Sequence, residues 1–233
     1  GSGGGVRFNY GTGVGHTFTN TLVTGNTSTA EGGGIFVGGI GGTVTLTNVS
    51  ITDNTAATNG GGLRLTSSAT INADKCTISG NRANGGSGGG ASVSDPLNLT
   101  NCVVSDNSST IDGGGFYIQG GSLTFNNSSL INNAAGDQGG GIYMNSTGGV
   151  ALTNSIIWGN AAVTDGDIAW NNYDILTITD AVIQNDGDPD LDDSPMISPD
   201  GLAGTSVTGY LSDVDPNFVD AAKTTVFNLS LMP

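Results

Sequence analysis

Apolar residues in this chain fall in short runs that alternate with polar ones, and the runs come in threes. From residue 32 to 54 the sequence reads GGGIFV, then TVTLTN, then VSITDN, which sets Ile35 and Val37, Val44 and Leu46, and Val49 and Ile51 on one side of three consecutive stretches. A period of two marks strands, whose side chains point alternately to opposite faces. The triplet recurs. Each third stretch ends in an Asn three residues after an aliphatic: Val23 and Asn26, Ile51 and Asn54, Ile78 and Asn81, Val104 and Asn107, Leu130 and Asn133, Ile157 and Asn160, Val182 and Asn185. The step between these Asn residues stays between 25 and 28. Glycine runs keep time with it at 3–5, 32–34, 60–62, 88–90, 113–115 and 139–141, then weaken to Gly166-Asp167.

Three strands per repeat, always in one order, predict a coil of triangular cross-section whose turns stack about 4.8 Å apart through parallel ladders. One turn cannot bury its own apolar side, so stability must come from stacking. The expected fold is all-β: a right-handed parallel β-helix of about seven regular three-strand turns over residues 1–185, with an irregular acidic segment over 186–233 that packs on the coil or extends it. The hand follows from the rule for parallel crossovers. A β-propeller fits less well, because its blades need about 40 residues and antiparallel hairpins.

The glycines mark corners, where positive φ or close backbone approach excludes a side chain. Asn tolerates left-handed backbone next best, and its amide can bond the same amide one turn away. A second polar column (Asn20, Asn48, Lys75, Asn101, Asn127, Asn154, Thr179) runs six residues before the first, and both are expected to be stacked corner ladders.

Composition narrows the function. The 233 residues are 36% apolar and carry 41 glycines without the collagen period. Net charge is −15 with five Lys or Arg, so the surface repels phosphate backbones and lacks a basic face for anionic lipid. No apolar run approaches the roughly 20 residues of a membrane span, so this segment is not expected to insert in a membrane. No signal peptide is visible. The opening GSGGGVRF already lies inside a repeat, which suggests a piece of something longer.

The pattern GGGI…F/L-T-N…I-x-x-N resembles the repeats of the polymorphic outer-membrane-protein family. The ending DVDPNFVDAAKTTVFNLSLMP is similar to the closing segment of many secreted bacterial β-helix proteins, matching at Asp215, Pro216, Phe218, Val219, Asp220, Phe227 and Leu229 and stopping at Pro233, before that segment's expected continuation. The resemblance covers residues 3 to 233 and implies an extracellular, surface-displayed passenger or adhesin. Its partners would be a host or neighbouring-cell surface, a glycan, or other domains or subunits of the same assembly.

The chemistry is sparse. β-Helix enzymes acting on acidic polysaccharides build their sites from one sheet plus long loops, whereas the regular loops here run about three to seven residues. His16 is the sole histidine and has no catalytic partner in register. Glu31, Asp112, Asp137 and Asp165 sit before the Gly corners, largely in one edge column, rather than as two facing carboxylates. The chain reads as a non-catalytic surface module, a stalk or adhesin, with a carbohydrate-binding or polysaccharide-degrading β-helix as the alternative.

Outward positions of the first sheet are Arg7, Phe36, Arg64, Ser92, Tyr117 and Tyr143. Tyr117 and Tyr143, with Phe36, are the candidate ligand contacts, since exposed aromatic ladders can hold sugar rings; a ladder that merely stabilises the sheet is the commoner case. The second sheet displays threonines too often interrupted by Asn and Asp to order ice. On the third sheet, outward Thr24, Ser50, Thr52, Thr77 and Ser79 give way to Ile131, Ile156, Trp158, Ala181 and Ile183. An apolar patch of this kind marks a docking surface, either for the C-terminal segment or for a partner, with Ile131, Ile156, Trp158 and Ile183 as contacts. Asp186, Asp188, Asp190, Asp192 and Asp193 alternate in a loop that could offer oxygens to Ca²⁺, or be simply solvated. Cys76 and Cys102 share a register on adjacent turns, where a disulfide and two buried thiols fit equally well.

Overall fold

The computed structural model describes residues 1–12, 15–66, 69–145, 148–170, 175–183, 206–208 and 211–212. All regular structure among them is β, and every strand pairs in parallel with its counterpart one turn away. The first sheet stacks Val6–Thr12, the first half of Ile35–Thr47, Leu63–Thr66, Ala91–Val93, Phe116–Ile118, Ile142–Met144 and Ile168–Trp170. Seven strands there mean about six turns of coil between its ends. The second sheet runs from His16–Thr19 through the second half of Ile35–Thr47 to Ile175–Thr179, and the third from Leu22–Thr24 to Val182–Ile183.

Alternation builds the core as the sequence predicts. Val44, Ile71, Leu97, Leu123, Val150 and Leu176 form one inward column, paired turn by turn and all buried. Where space allows, aromatics fill it: Phe116 of the first sheet meets Phe125 of the second edge to face at 5.9 Å.

Five of the turns also have a fourth strand that the alternation does not reveal. Thr27–Ser28, Thr55–Ala56, Arg82–Ala83, Ser108–Ser109 and Ala134–Ala135 form a five-stranded parallel sheet. These strands are two residues long and point only a small side chain inward, as at Ser28, Ala56, Ala83 and Ser109, so they carry almost no hydrophobic signal.

That fourth strand explains the glycine runs, whose three positions differ. Gly60 takes a left-handed backbone, with φ of 70°. A Cβ on Gly61 would lie 2.4 Å from Gly89 O and 2.5 Å from the Arg82 backbone, the fourth strand passing beneath it. One on Gly62 would lie 2.7 Å from Gly90 O and 2.9 Å from the Asn81 side chain.

The Asn column is a continuous ladder. The side-chain amide of Asn54 donates to Asn81 Oδ1 at 2.9 Å, and with its second hydrogen to Val23 O of the preceding turn, also at 2.9 Å. The Asn54 backbone N–H shares the same Oδ1 at 3.0 Å. Asn81, Asn107 and Asn133 repeat the scheme, and Asn160 closes it by donating to Asp167 Oδ1 at 2.8 Å. These amides are buried, with both donors and both acceptor sites in use, the condition under which a buried polar group costs nothing.

The left-handed residue at that corner is not the ladder Asn. It precedes it, as Gly25, Asp53, Gly80, Asp106, Asn132 and Gly159. The second polar column is conformational first: Asn20, Asn48, Lys75, Asn101, Asn127 and Asn154 all have φ between 48° and 56°. Asn48 bonds Asn20 at 2.7 Å, whereas Asn101 bonds Asp74 instead.

In the last regular turn the register moves by one. The corner residue is Asp180, with φ of 50°, while Thr179 stays in the strand opposite Thr153. Ile156 therefore pairs Val182, and Ile157 pairs Ile183. Within 186–233, Ser206–Thr208 pairs Thr177–Thr179 and Leu211–Ser212 pairs Val182–Ile183, so these two short strands continue the ladders.

Candidate functional site: the first-sheet face

The outward column of the first sheet is the one the repeat spacing predicts: Arg7, Phe36, Arg64, Ser92, Tyr117 and Tyr143 pair in sequence, with Ala169 after them. It is not the exposed platform expected. Phe36 is 8% exposed, Arg64 6% and Tyr143 7%, and Tyr117 is half-buried. Long side chains lie down along the coil axis and cover their neighbours, which a spacing argument cannot foresee. The Arg7 guanidinium sits 5.2 Å over the Phe36 ring. Tyr117 and Tyr143 stack face to face, parallel within 1°, with centroids 5.7 Å apart. Tyr117 Oη accepts from the Asn145 amide at 2.7 Å. One face of each ring is turned toward the other.

Arg64 is the organising charge of this face. Its Nε donates to Glu31 Oε1 at 3.1 Å, and Nη1 to Ser92 Oγ at 3.0 Å and Ser94 Oγ at 3.2 Å. Nη2 reaches Gln119 Oε1 at 3.4 Å. A residue from one turn thus ties the turn before it to the two after it. The spread of planar donors on a guanidinium allows this and a lysine could not do it. Ser92 is the small member of the column that leaves room for the arm. Sequence reading put Arg64 in the column but missed its role, because its partners stand up to 55 residues away.

Elsewhere the predicted residues scatter. His16 sits in the inward column, opposite Val44, with its ring 4.6 Å from that of Phe8. On the third sheet, Ile131, Ile156 and Trp158 are half-buried on the outward side, beside Val103 at 40% exposure. Ala181 and Ile183 do not belong to that patch: both are buried in the core, moved inward by the register change that begins at Asp180. Val182 takes the outward place instead. Asp186, Asp188, Asp190, Asp192 and Asp193 lie outside the described residues. Among the described residues no group of three or more His, Cys, Asp or Glu could hold a metal, and no helix is long and apolar enough to cross a membrane. Cys76 and Cys102 are free, buried thiols.

One carboxylate is perturbed. Burial, with a smaller push from Asp137, raises Asp112 above its ordinary 3.8. Its folded pKa exceeds the unfolded one, so its ionisation favours unfolding, and stability falls as pH rises from the unfolded value through the folded one. Asp112→Asn is therefore expected to raise the melting midpoint at pH 7 and to leave it unchanged below about pH 3.8, read by paired thermal melts.

Comparison with curated proteins and with solved structures gives no match. A family model does match, over residues 1–157, and its description is the right-handed β-helix region. That span holds the glycine runs, the Asn ladder as far as Asn133 and the Arg64 cluster, and the family's description gives the coil its hand. The chain belongs to the right-handed β-helix family.

Proposed function

We propose that the chain is a non-catalytic, rigid spacer of an extracellular surface protein, the stalk or adhesin type that the resemblance of its repeats implies. The observation that carries this reading is the Asn ladder from Asn26 to Asn160, whose amides bond along the coil axis without interruption. Such a column spends the buried polar groups of every turn on holding the next one. Six turns at about 4.8 Å each give a rod of roughly 30 Å. The acidic surface, −15 overall, keeps such rods soluble and apart. What the rod presents would bind a host or neighbouring-cell surface, or join it to other domains or subunits of one assembly.

The stacked Tyr117 and Tyr143 favour one second reading, a glycan contact on the first sheet. A glycan microarray probed with the native chain and with Tyr117→Ala and Tyr143→Ala separates the two. A spacer is expected to show no binding that depends on either tyrosine. A glycan bound by the native chain and lost by at least tenfold in either variant would replace the spacer with a carbohydrate-binding module.

A further inference from the structure

The column Val49, Cys76, Cys102, Ser128, Ser155 and Ala181 lies on the inward side of the corner before the third sheet, one residue ahead of strands paired in register. All six side chains are buried. In its middle each γ atom turns toward the preceding turn and accepts that turn's backbone N–H: Ser128 Oγ from Cys102 at 2.9 Å, and Cys102 Sγ from Cys76 at 3.3 Å. The Cys102 sulfur is therefore already aimed at Cys76. Parallel neighbours in register stand about 4.8 Å apart, inside the Cα separation that a disulfide spans.

We propose that Cys76 and Cys102 form a disulfide between adjacent turns, made by exchange with a small-molecule disulfide while those turns are open. The thiolate of one cysteine attacks one sulfur of the external disulfide and expels the first thiolate. The other cysteine then loses its proton to that thiolate and attacks the protein sulfur of the mixed disulfide, expelling the second. Two protein thiols are oxidised, one external disulfide is reduced to two thiols, and no other reactant is needed. Either cysteine can attack first, because the contacts that distinguish the two thiols in the closed coil are not made while the turns are open. Closed turns shield both sulfurs, so exchange belongs to folding or to opening of these turns. The bond would clamp two central turns of the coil.

The test is refolding of the full chain from denaturant with oxidised or with reduced glutathione, followed by intact mass, tryptic mapping and thermal melting. Lys75 and Arg82 bracket the first cysteine, so trypsin releases it in a seven-residue peptide, 76–82. The oxidised sample is expected to be lighter by two hydrogens, to link that peptide to the one holding Cys102, and to melt roughly 5–10 °C higher than the reduced one. Cys102→Ser, which places here the residue that Ser128 and Ser155 supply in the next two turns, is expected to fold and to lose all dependence on glutathione. Two thiols still titratable in the oxidised sample after denaturation, separate glutathione adducts on the two cysteines, or links only between chains would each overturn the proposal.

Discussion

Asn107→Ala is expected to cost about 4 kcal/mol, a large share of the roughly 5–15 kcal/mol that holds an ordinary domain, although it removes one small polar side chain. The amide of Asn107 donates to Ile78 O and to Asn133 Oδ1, both at 2.9 Å, and its oxygen accepts from the backbone and side-chain nitrogens of Asn81 at 3.0 and 2.9 Å. Truncation leaves the Asn81 N–H and one Asn81 amide hydrogen buried and unmatched, while the Ile78 carbonyl loses its second donor and stays in the parallel ladder with Ser105. Each such group costs roughly 1–3 kcal/mol. Asn98→Ala is the control, since Asn98 also bonds an Asn one turn away, Asn72 at 2.8 Å, but does so at the surface. Its expected cost is under about 1 kcal/mol. Urea melts of the three proteins read the difference directly; equal midpoints for the two variants would mean that the ladder does not hold the coil.

The second large effect is expected at Gly114. A Cβ there would stand 2.4 Å from Gly140 O and 2.4 Å from the Ala134 carbonyl carbon, both backbone atoms of the next turn. No rotamer change can relieve that contact. Gly114→Ala must push two turns apart where Gly115 N donates to Gly140 O at 3.0 Å, and the variant is expected to lose its cooperative melt. Gly25→Ala offers the comparison: its φ is +66° but nothing lies within 4 Å of the added carbon, so only the left-handed conformation is penalised, by about 1–2 kcal/mol. Circular dichroism during heating distinguishes the two. A sharp transition for Gly114→Ala near the native midpoint would show that the turns are not packed backbone to backbone.

These two sites were legible in the sequence to different degrees. The Asn column stood out because its members recur at a step of 25 to 28 behind an aliphatic, and the ladder needs one such residue in every turn. The glycine run was equally plain, but its reason was half hidden. Left-handed backbone accounts for Gly113, whereas Gly114 answers to the Ala134–Ala135 strand, and two residues with small side chains carry no alternation to read. Inward columns followed from period two alone. Outward ones followed only in position: the spacing placed Arg64 beside Ser92, yet only the three-dimensional structure brings Glu31, Ser94 and Gln119 to the same guanidinium.

The one-residue error in the last turn has its own cause. Reading backward from Asn185 set Val182 in the inward column, as though the corner kept its usual length. The backbone turns instead at Asp180, a residue type that accepts left-handed geometry, and the strand after it starts accordingly. Ala181 and Ile183 move to the core and Val182 to the outward side, where it is still buried, so the apolar patch of the third sheet loses two of the residues that the sequence suggested.

The central claim is that one register repeat is the structural unit of the rod, so that turns can be removed without changing how the rest stack. Deleting residues 82–107 tests it most directly. Arg82 pairs Ser108 in register, and the deletion joins Asn81 to Ser108 with every column kept in phase. The shortened chain is expected to keep its β circular dichroism and a cooperative melt at a lower temperature. Its long dimension in small-angle scattering should fall by about 4.8 Å. An unfolded chain, or a folded one whose length does not change, would contradict a rod built from interchangeable turns.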